Sequence, residues 1–350
     1  MKKKVYIALA VISLICYLSV FIPPGKIWPA GFITYLIPFV LLTNIFLLLR
    51  DLSRLKISFL VPLGLIITGW GFIYDTIHFS RNRGGCTIKV MSYNVRVFDI
   101  YDPSSLGARV PEKMSDWIRN TQSDIICLQE FYNEPDSPDR NTLRMINSDN
   151  RYHVFNRPVY INRIGAQFGV VIFSRFPIAR DGQIRFGGNT QNQAVFADVV
   201  IGPDTVRIYN LHLQSMHINE KELMDYEGDL EVEMKDLFGR LKYGFIQRSD
   251  QIRIIREHIR HCPYRVIVCG DFNDLPYSYA YHQLKRILTN SFAEAGRGFG
   301  FTYNGKLPFL RIDNQFFSKG IHVCSLRTSH AARYSDHFPV TGTYSIIPAD

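Results

Sequence analysis

Gly270-Asp271-Phe272-Asn273 and, later, Ser335-Asp336-His337 are the stretches on which the reading of this 350-residue chain turns. The first follows Arg265-Val266-Ile267-Val268-Cys269, a β-branched run that predicts a buried strand. Gly270 would then turn the chain, and Asp271 and Asn273 would emerge at the strand's end. Asp and Asn favour ordinary turns as well, so one such tetrapeptide carries little weight alone. The pattern recurs, however. Residues 88–96 predict a strand ending near Asn94, residues 124–130 one ending on Glu130, and residues 206–213 one reaching His212, while Arg311-Ile312-Asp313 opens another. Six clusters of amide, carboxylate and imidazole at strand ends suggest a single polar site.

Their chemistry suits metal-assisted phosphoester hydrolysis. A hard cation that neutralises phosphoryl oxygens takes oxygen ligands from one or two carboxylates and keeps water, and the attacking water must give its proton to a nearby carboxylate or imidazole. In order, Ser-Tyr-Asn (92–94), Leu-Gln-Glu (128–130), Asn-Leu-His-Leu (210–213), Gly-Asp-Phe-Asn (270–273), Arg-Ile-Asp (311–313) and Ser-Asp-His (335–337) form a succession that resembles the endonuclease/exonuclease/phosphatase superfamily, the DNase I-like fold, from about residue 87 to residue 345. The resemblance implies an α/β, four-layer α/β/β/α sandwich and hydrolysis of phosphodiester bonds with Mg²⁺ or Mn²⁺. It also implies roles: Asn94, Glu130 and Asp336 on the metal side, Asp271 aligning and deprotonating the water, Asn273 donating to the developing charge, and His337 on the scissile phosphate with Asp313 orienting it. His212 would be a second imidazole, as in the DNase I and sphingomyelinase-like branches; the abasic-site endonucleases generally carry a Tyr in this region. Tyr93, Arg96, Gln129 and Gln167 are further groups that could approach the phosphate.

The first eighty residues have a different composition. Three apolar runs, about 5–22, 30–49 and 57–79, match the ~20 residues needed to cross a bilayer, which predicts an anchor of three transmembrane helices over 1–80, a linker at 81–86 and the catalytic domain at 87–350. A cleaved signal peptide is the competing reading of the first run. Against it, the run is long, lacks a small-x-small cleavage site and is followed by two more spans. Lys2, Lys3 and Lys4, and then Arg50, Arg54 and Lys56, place the N-terminus and the second loop in the cytoplasm, so three crossings leave the catalytic domain extracytoplasmic at the cell membrane.

The net charge of +9 is mostly the anchor's: residues 1–85 hold nine Lys and Arg against Asp51 and Asp75, leaving 31 basic and 29 acidic residues elsewhere. A nearly neutral domain lacks the global footprint of a protein that grips long duplexes. Cys16, Cys127 and Cys269 fall in apolar runs; Cys86, Cys262 and Cys324 could oxidise after export, but the sequence does not pair them. No Gly-rich phosphate loop of the Walker type is present, so the sequence gives no support to a nucleotide-triphosphate motor. Residues 248–259 predict an amphipathic helix with Ile252, Ile255 and Ile259 on one face. Before it, the acidic segment 219–236 reads as a solvated surface or as a lid beside His212. The leading reading is a membrane-anchored, nuclease-like phosphodiesterase; the alternative is a phospholipid or sphingomyelin-type phosphodiesterase, and the alternative of another class is a non-catalytic membrane scaffold that kept the fold. The partners expected are a phosphodiester substrate, nucleic acid or phospholipid, and the membrane. No protein partner is inferable.

Overall fold

The computed structural model describes residues 2–80, 84–101, 109–187, 192–216, 230–307 and 309–347. Most of the acidic segment, residues 219–229, lies outside this set. Two six-stranded sheets face each other. One runs β13(Ile321–Thr328), β14(Val340–Ile346), β2(Ile88–Asn94), β3(Ile125–Asn133), β5(Gln167–Ser174), β4(His153–Ile161). The other runs β10(Thr289–Asn290), β12(Asp313–Phe317), β9(Arg265–Asp271), β8(Asp204–His212), β7(Gln193–Ile201), β6(Ile178–Ile184). Each sheet has one parallel pair at its centre, β2 with β3 and β8 with β9, flanked by antiparallel neighbours.

Between the sheets lies an apolar layer that includes Val90, Cys127, Ile172, Val195, Ile208, Ile267 and Phe317. The outer face of the β8–β9 sheet packs on Ile252, Ile255 and Ile259 of a helix over Leu230–Arg260 and on Leu284 of one over Tyr279–Lys285. Helices over Val110–Asn120 and Thr142–Ile146 cover the other sheet through Met114, Ile118 and Ile146. The result is the expected α/β sandwich with two sheets at its centre. The helix expected at 248–259 begins earlier, at Leu230. Cys86, just ahead of β2, forms a disulfide with Cys324 of β13, while Cys262 is a free thiol.

The N-terminal region departs from three equal spans. Helix α1(Lys2–Ser19) begins with three lysines, which leaves only residues 5–19 apolar. Helices α2(Pro29–Thr34) and α3(Ile37–Ser53) continue through a turn at Tyr35 and Leu36 as one apolar stretch of 25 residues. The third run breaks at Gly69 into α4(Leu60–Thr68) and α5(Trp70–Thr76), bent by 55°, and ends as the short strand β1(His78–Phe79). Among the described residues, therefore, one helix near the N-terminus is long and apolar enough to cross a membrane, or two if the bent pair is a single span. Lysines shorten the first run, and the third bends at Gly69, where a Cβ would lie 2.7 Å from the Tyr17 ring.

Val11, Leu18, Phe39, Leu42 and Phe46 point outward from these helices although all are large and apolar. At one end Tyr6, Arg50 and Ser58 gather around Asp51. The opposite end meets the sandwich. There, Trp28 and Phe32 pack on Phe238, Phe32 and Tyr35 on Phe245, and Phe21 on His282, while β1 pairs with β11(Arg297–Gly298).

Candidate active site

Strand periodicity explains why the six clusters converge. Along β2, Ile88 and Val90 fill the layer between the sheets, and Ser92 and Asn94 continue on that face. β8 runs Val206, Ile208, Asn210, His212; β9 runs Ile267, Cys269, Asp271. The face that makes the core thus turns polar toward one edge of the sandwich. β12 is antiparallel to β9, so its first residue, Asp313, lies opposite the last residue of β9, Asp271, whose other neighbour is His212.

Two positions need special backbone. Gly270 has φ +145°, and a Cβ there would lie 2.0 Å from the Leu211 carbonyl oxygen, so only glycine lets β9 come this close to β8. Glu130 has φ 48° within a bulge between Leu128 and Phe131. Phe131 joins Ile126 and Leu128 on the helix-covered face, and the extra residue turns Glu130 toward the site.

Asn94 is the hub. Its amide donates to Glu130 Oε1 and to Asp271 Oδ2, each at 3.0 Å, and its oxygen accepts the Arg96 N–H at 3.0 Å. Asp271 also accepts from the Asn273 backbone at 2.8 Å and from its side chain at 3.2 Å, and that side chain reaches the Leu213 carbonyl as well. His337 Nδ1 meets Asp313 Oδ2 at 2.9 Å, which leaves Nε2 3.7 Å from Asp271 Oδ2. Ser335 donates to the Asn94 carbonyl and accepts the His337 N–H, fastening the Asp336-His337 loop to the end of β2. His212 Nε2 stands 3.5 Å from Glu130 Oε1, is buried, and has no hydrogen-bond partner among the described residues.

Burial raises the Asp271 carboxyl above the usual carboxylate range, and nearby Asp313 adds to this against the two histidines. Burial likewise raises Asp336. Burial would push His337 down, but the Asp313 and Asp271 carboxylates outweigh it and hold the imidazole well above its ordinary value. The interior thus sets His337 between the Asp271 and Asp313 carboxylates, next to two more carboxylates.

Those two carboxylates are the accessible ones. The Glu130 and Asp336 side chains are 35% and 30% exposed, and Arg96 Nε lies 3.5 Å from Asp336 Oδ2. Asp271, Asp313 and His337 also bring ligand atoms within 4.8 Å of one another, but they are buried and already bonded to protein partners. A hard cation that keeps water fits the open pair better, and the unpartnered His212 Nε2 and Asp313 Oδ1 leave donors and acceptors for a further group.

All eight residues singled out from the sequence, Asn94, Glu130, His212, Asp271, Asn273, Asp313, Asp336 and His337, therefore lie in one cluster. Of the additional candidates, Arg96 reaches the site. Gln129 turns inward to Asn210 and Ser92, Gln167 bonds Asn156, and the Tyr93 ring is buried under helix-side residues. Sequence reading missed Arg248 and Asp274, whose buried bonds hold the segments behind the site, and it quoted Asn210 without its role in bonding the opposite sheet. An Arg at helical spacing from Phe245, Ile252 and Ile255 was the available signal for Arg248.

The profile of the endonuclease/exonuclease/phosphatase family matches residues 91–337. The chain belongs to the endonuclease/exonuclease/phosphatase family. Ahead of the family domain, residues 4–76 match a domain of unknown function, DUF8431. No curated protein matches the chain. Among solved structures, the family protein from Beutenbergia cavernae aligns at 17% identity and TM-score 0.54 over 76% of this chain and 73% of its own. The mannosyl-6-phosphatase Bt3783 of Bacteroides thetaiotaomicron aligns at 18% and 0.53 over 74% and 100%, and a humanized D. rerio TDP2 at 16% and 0.53 over 74% and 98%. At these identities the family member shares their fold.

Proposed function

We propose that this family member is a membrane-anchored, Mg²⁺- or Mn²⁺-dependent phosphodiesterase that cleaves its substrate by attack of an activated water. One observation carries the reading: two partly exposed carboxylates, a buried Asp–His–Asp chain and an unpartnered imidazole form one cluster at the strand ends. Glu130 and Asp336 would hold the cation, which when bound would neutralise charge on the phosphoryl oxygens. Asn94 and Asn273 fix Asp271, whose raised proton affinity suits it to take the proton of the attacking water. Asp313 holds His337 Nδ1–H, which leaves Nε2, on the Asp271 side, to donate to a phosphoryl oxygen. His212 Nε2 supplies a second donor on the Glu130 side.

Placement of the site favours a phosphodiester presented at the bilayer surface. The N-terminal helices carry outward apolar side chains, and their basic end lies away from the sandwich, which supports an extracytoplasmic domain. The Cys86–Cys324 disulfide supports the same compartment. Phe299 and Phe309 are exposed on the segment that includes Tyr303, whose ring packs edge-on against His337. An exported nuclease is the second reading; the near-neutral charge of the domain weighs against long duplexes.

The test uses the full chain in detergent or vesicles with Mg²⁺ and a panel of phospholipids, sphingomyelin, DNA, RNA and a chromogenic diester. Expected is lipid and diester turnover that falls at least ~100-fold in Glu130→Ala and His337→Ala. Turnover confined to nucleic acid would select the nuclease. None on any substrate would leave the non-catalytic scaffold.

A further inference from the structure

The loops that carry the site rest on the N-terminal helices. Asp274 directly follows Asn273 and is buried. Its Oδ2 accepts from Arg248 Nε at 3.0 Å, and its Oδ1 accepts the hydroxyl of Tyr35, between α2 and α3, at 3.3 Å. Arg248 is fully buried and donates through Nη1 to the Gln214 carbonyl at 2.7 Å, so one guanidinium holds the segment after His212 against the segment after Asp271. Tyr277, three residues beyond Asp274, packs against the apolar cluster of the N-terminal helices that includes Tyr17, Val20 and Ile37.

A second contact supports the other side of the site. Asp75, in the last turn of α5, is buried and accepts Lys285 Nζ at 2.5 Å. Its backbone carbonyl accepts from Arg311, two residues before Asp313. Arg311 is itself buried, stacked 3.8 Å over the Phe292 ring. A tether does not need buried charge. Without the N-terminal helices, the buried Arg311 would lose the Asp75 carbonyl and the half-buried Lys285 would lose the Asp75 carboxylate, and a buried guanidinium left without partners is costly.

We propose that Tyr35 and Asp75 are positioning residues: the N-terminal helices clamp the Asp271–Asp274 and Arg311–Asp313 segments, so the geometry of Asp271 and of the Asp313–His337 pair depends on the helices being seated. This deepens the phosphodiesterase reading and rests on it. The helices are thus a working part of the site as well as its attachment. Tyr35→Phe removes only a hydroxyl, while Asp75→Asn keeps the shape and the backbone carbonyl but removes the counter-charge.

Hydrogen–deuterium exchange on the full chain in micelles tests the clamp without turnover. In at least one variant, exchange should rise about 10-fold in residues 271–276 and 312–316 and stay unchanged in β2. No rise, or an equal rise throughout the sandwich, overturns the proposal. With the chromogenic diester, kcat should fall about 10-fold with KM within about twofold, the pattern of a misplaced group. In an Asp313→Asn background, Asp75→Asn should add little, whereas a purely structural role would multiply the two losses. Wild-type kcat in both variants overturns the clamp and leaves the phosphodiesterase reading standing. If the wild-type chain turns over nothing, that reading falls, and the exchange measurement still decides the clamp.

Discussion

At the scale of residues, the site depends on where polar side chains end an apolar alternation. Val206, Ile208, Asn210 and His212 occupy successive positions on one face of β8, and the step from aliphatic to amide to imidazole marks the passage from core to opening. That gradient was legible, because a two-residue period is fixed by the backbone. Gly270 was legible only as a turn. Its actual requirement, clearance from the Leu211 carbonyl, comes from a strand 59 residues earlier in the chain, and no local pattern encodes it. Gly270→Ala should therefore cost at least ~3 kcal/mol, read as a lower thermal midpoint or failure to fold. A midpoint equal to wild type would mean that β8 and β9 can separate freely.

Among elements, polar side chains join the two sheets inside an otherwise apolar layer. Asn210 of β8 donates to the Leu128 and Val171 carbonyls of the opposite sheet and accepts from Gln129, and Gln315 of β12 bonds the Val90 and Val340 carbonyls and Tyr344. Such bonds have strict geometry, so they set how the sheets align behind the site as well as how tightly they adhere. Asn210→Leu should destabilise by ~3 kcal/mol, since it removes three bonds and leaves buried carbonyls unmet; denaturant unfolding measures it, and a neutral result would show that the layer is held by apolar contact alone. The strands were readable from their β-branched runs. The bulge at Glu130 was not, because its register is set by β5, remote in sequence.

For the whole molecule, hydropathy counted three spans where the structure has one long apolar helix, a shorter one that begins with lysines and a bent pair. A count of apolar residues is blind to Gly69 and to the side chains it must clear. The proposed orientation remains testable on intact cells. Arg54→Cys should resist a membrane-impermeant maleimide, Lys319→Cys should react, and the reverse pattern would place the sandwich in the cytoplasm. Both positions are exposed, and three of the four native free cysteines are buried.

The disulfide also constrains the order in which the protein is made. Cys86 and Cys324 are 238 residues apart, so the bond can close only when nearly the whole sandwich has been synthesised and both thiols share one compartment. By then the N-terminal helices have long since left the ribosome, and the intervening strands can sort their pairing first. The bond acts as a final latch on assembly, and a nascent chain stalled before residue 324 would carry Cys86 as a free thiol open to thiol-directed quality control.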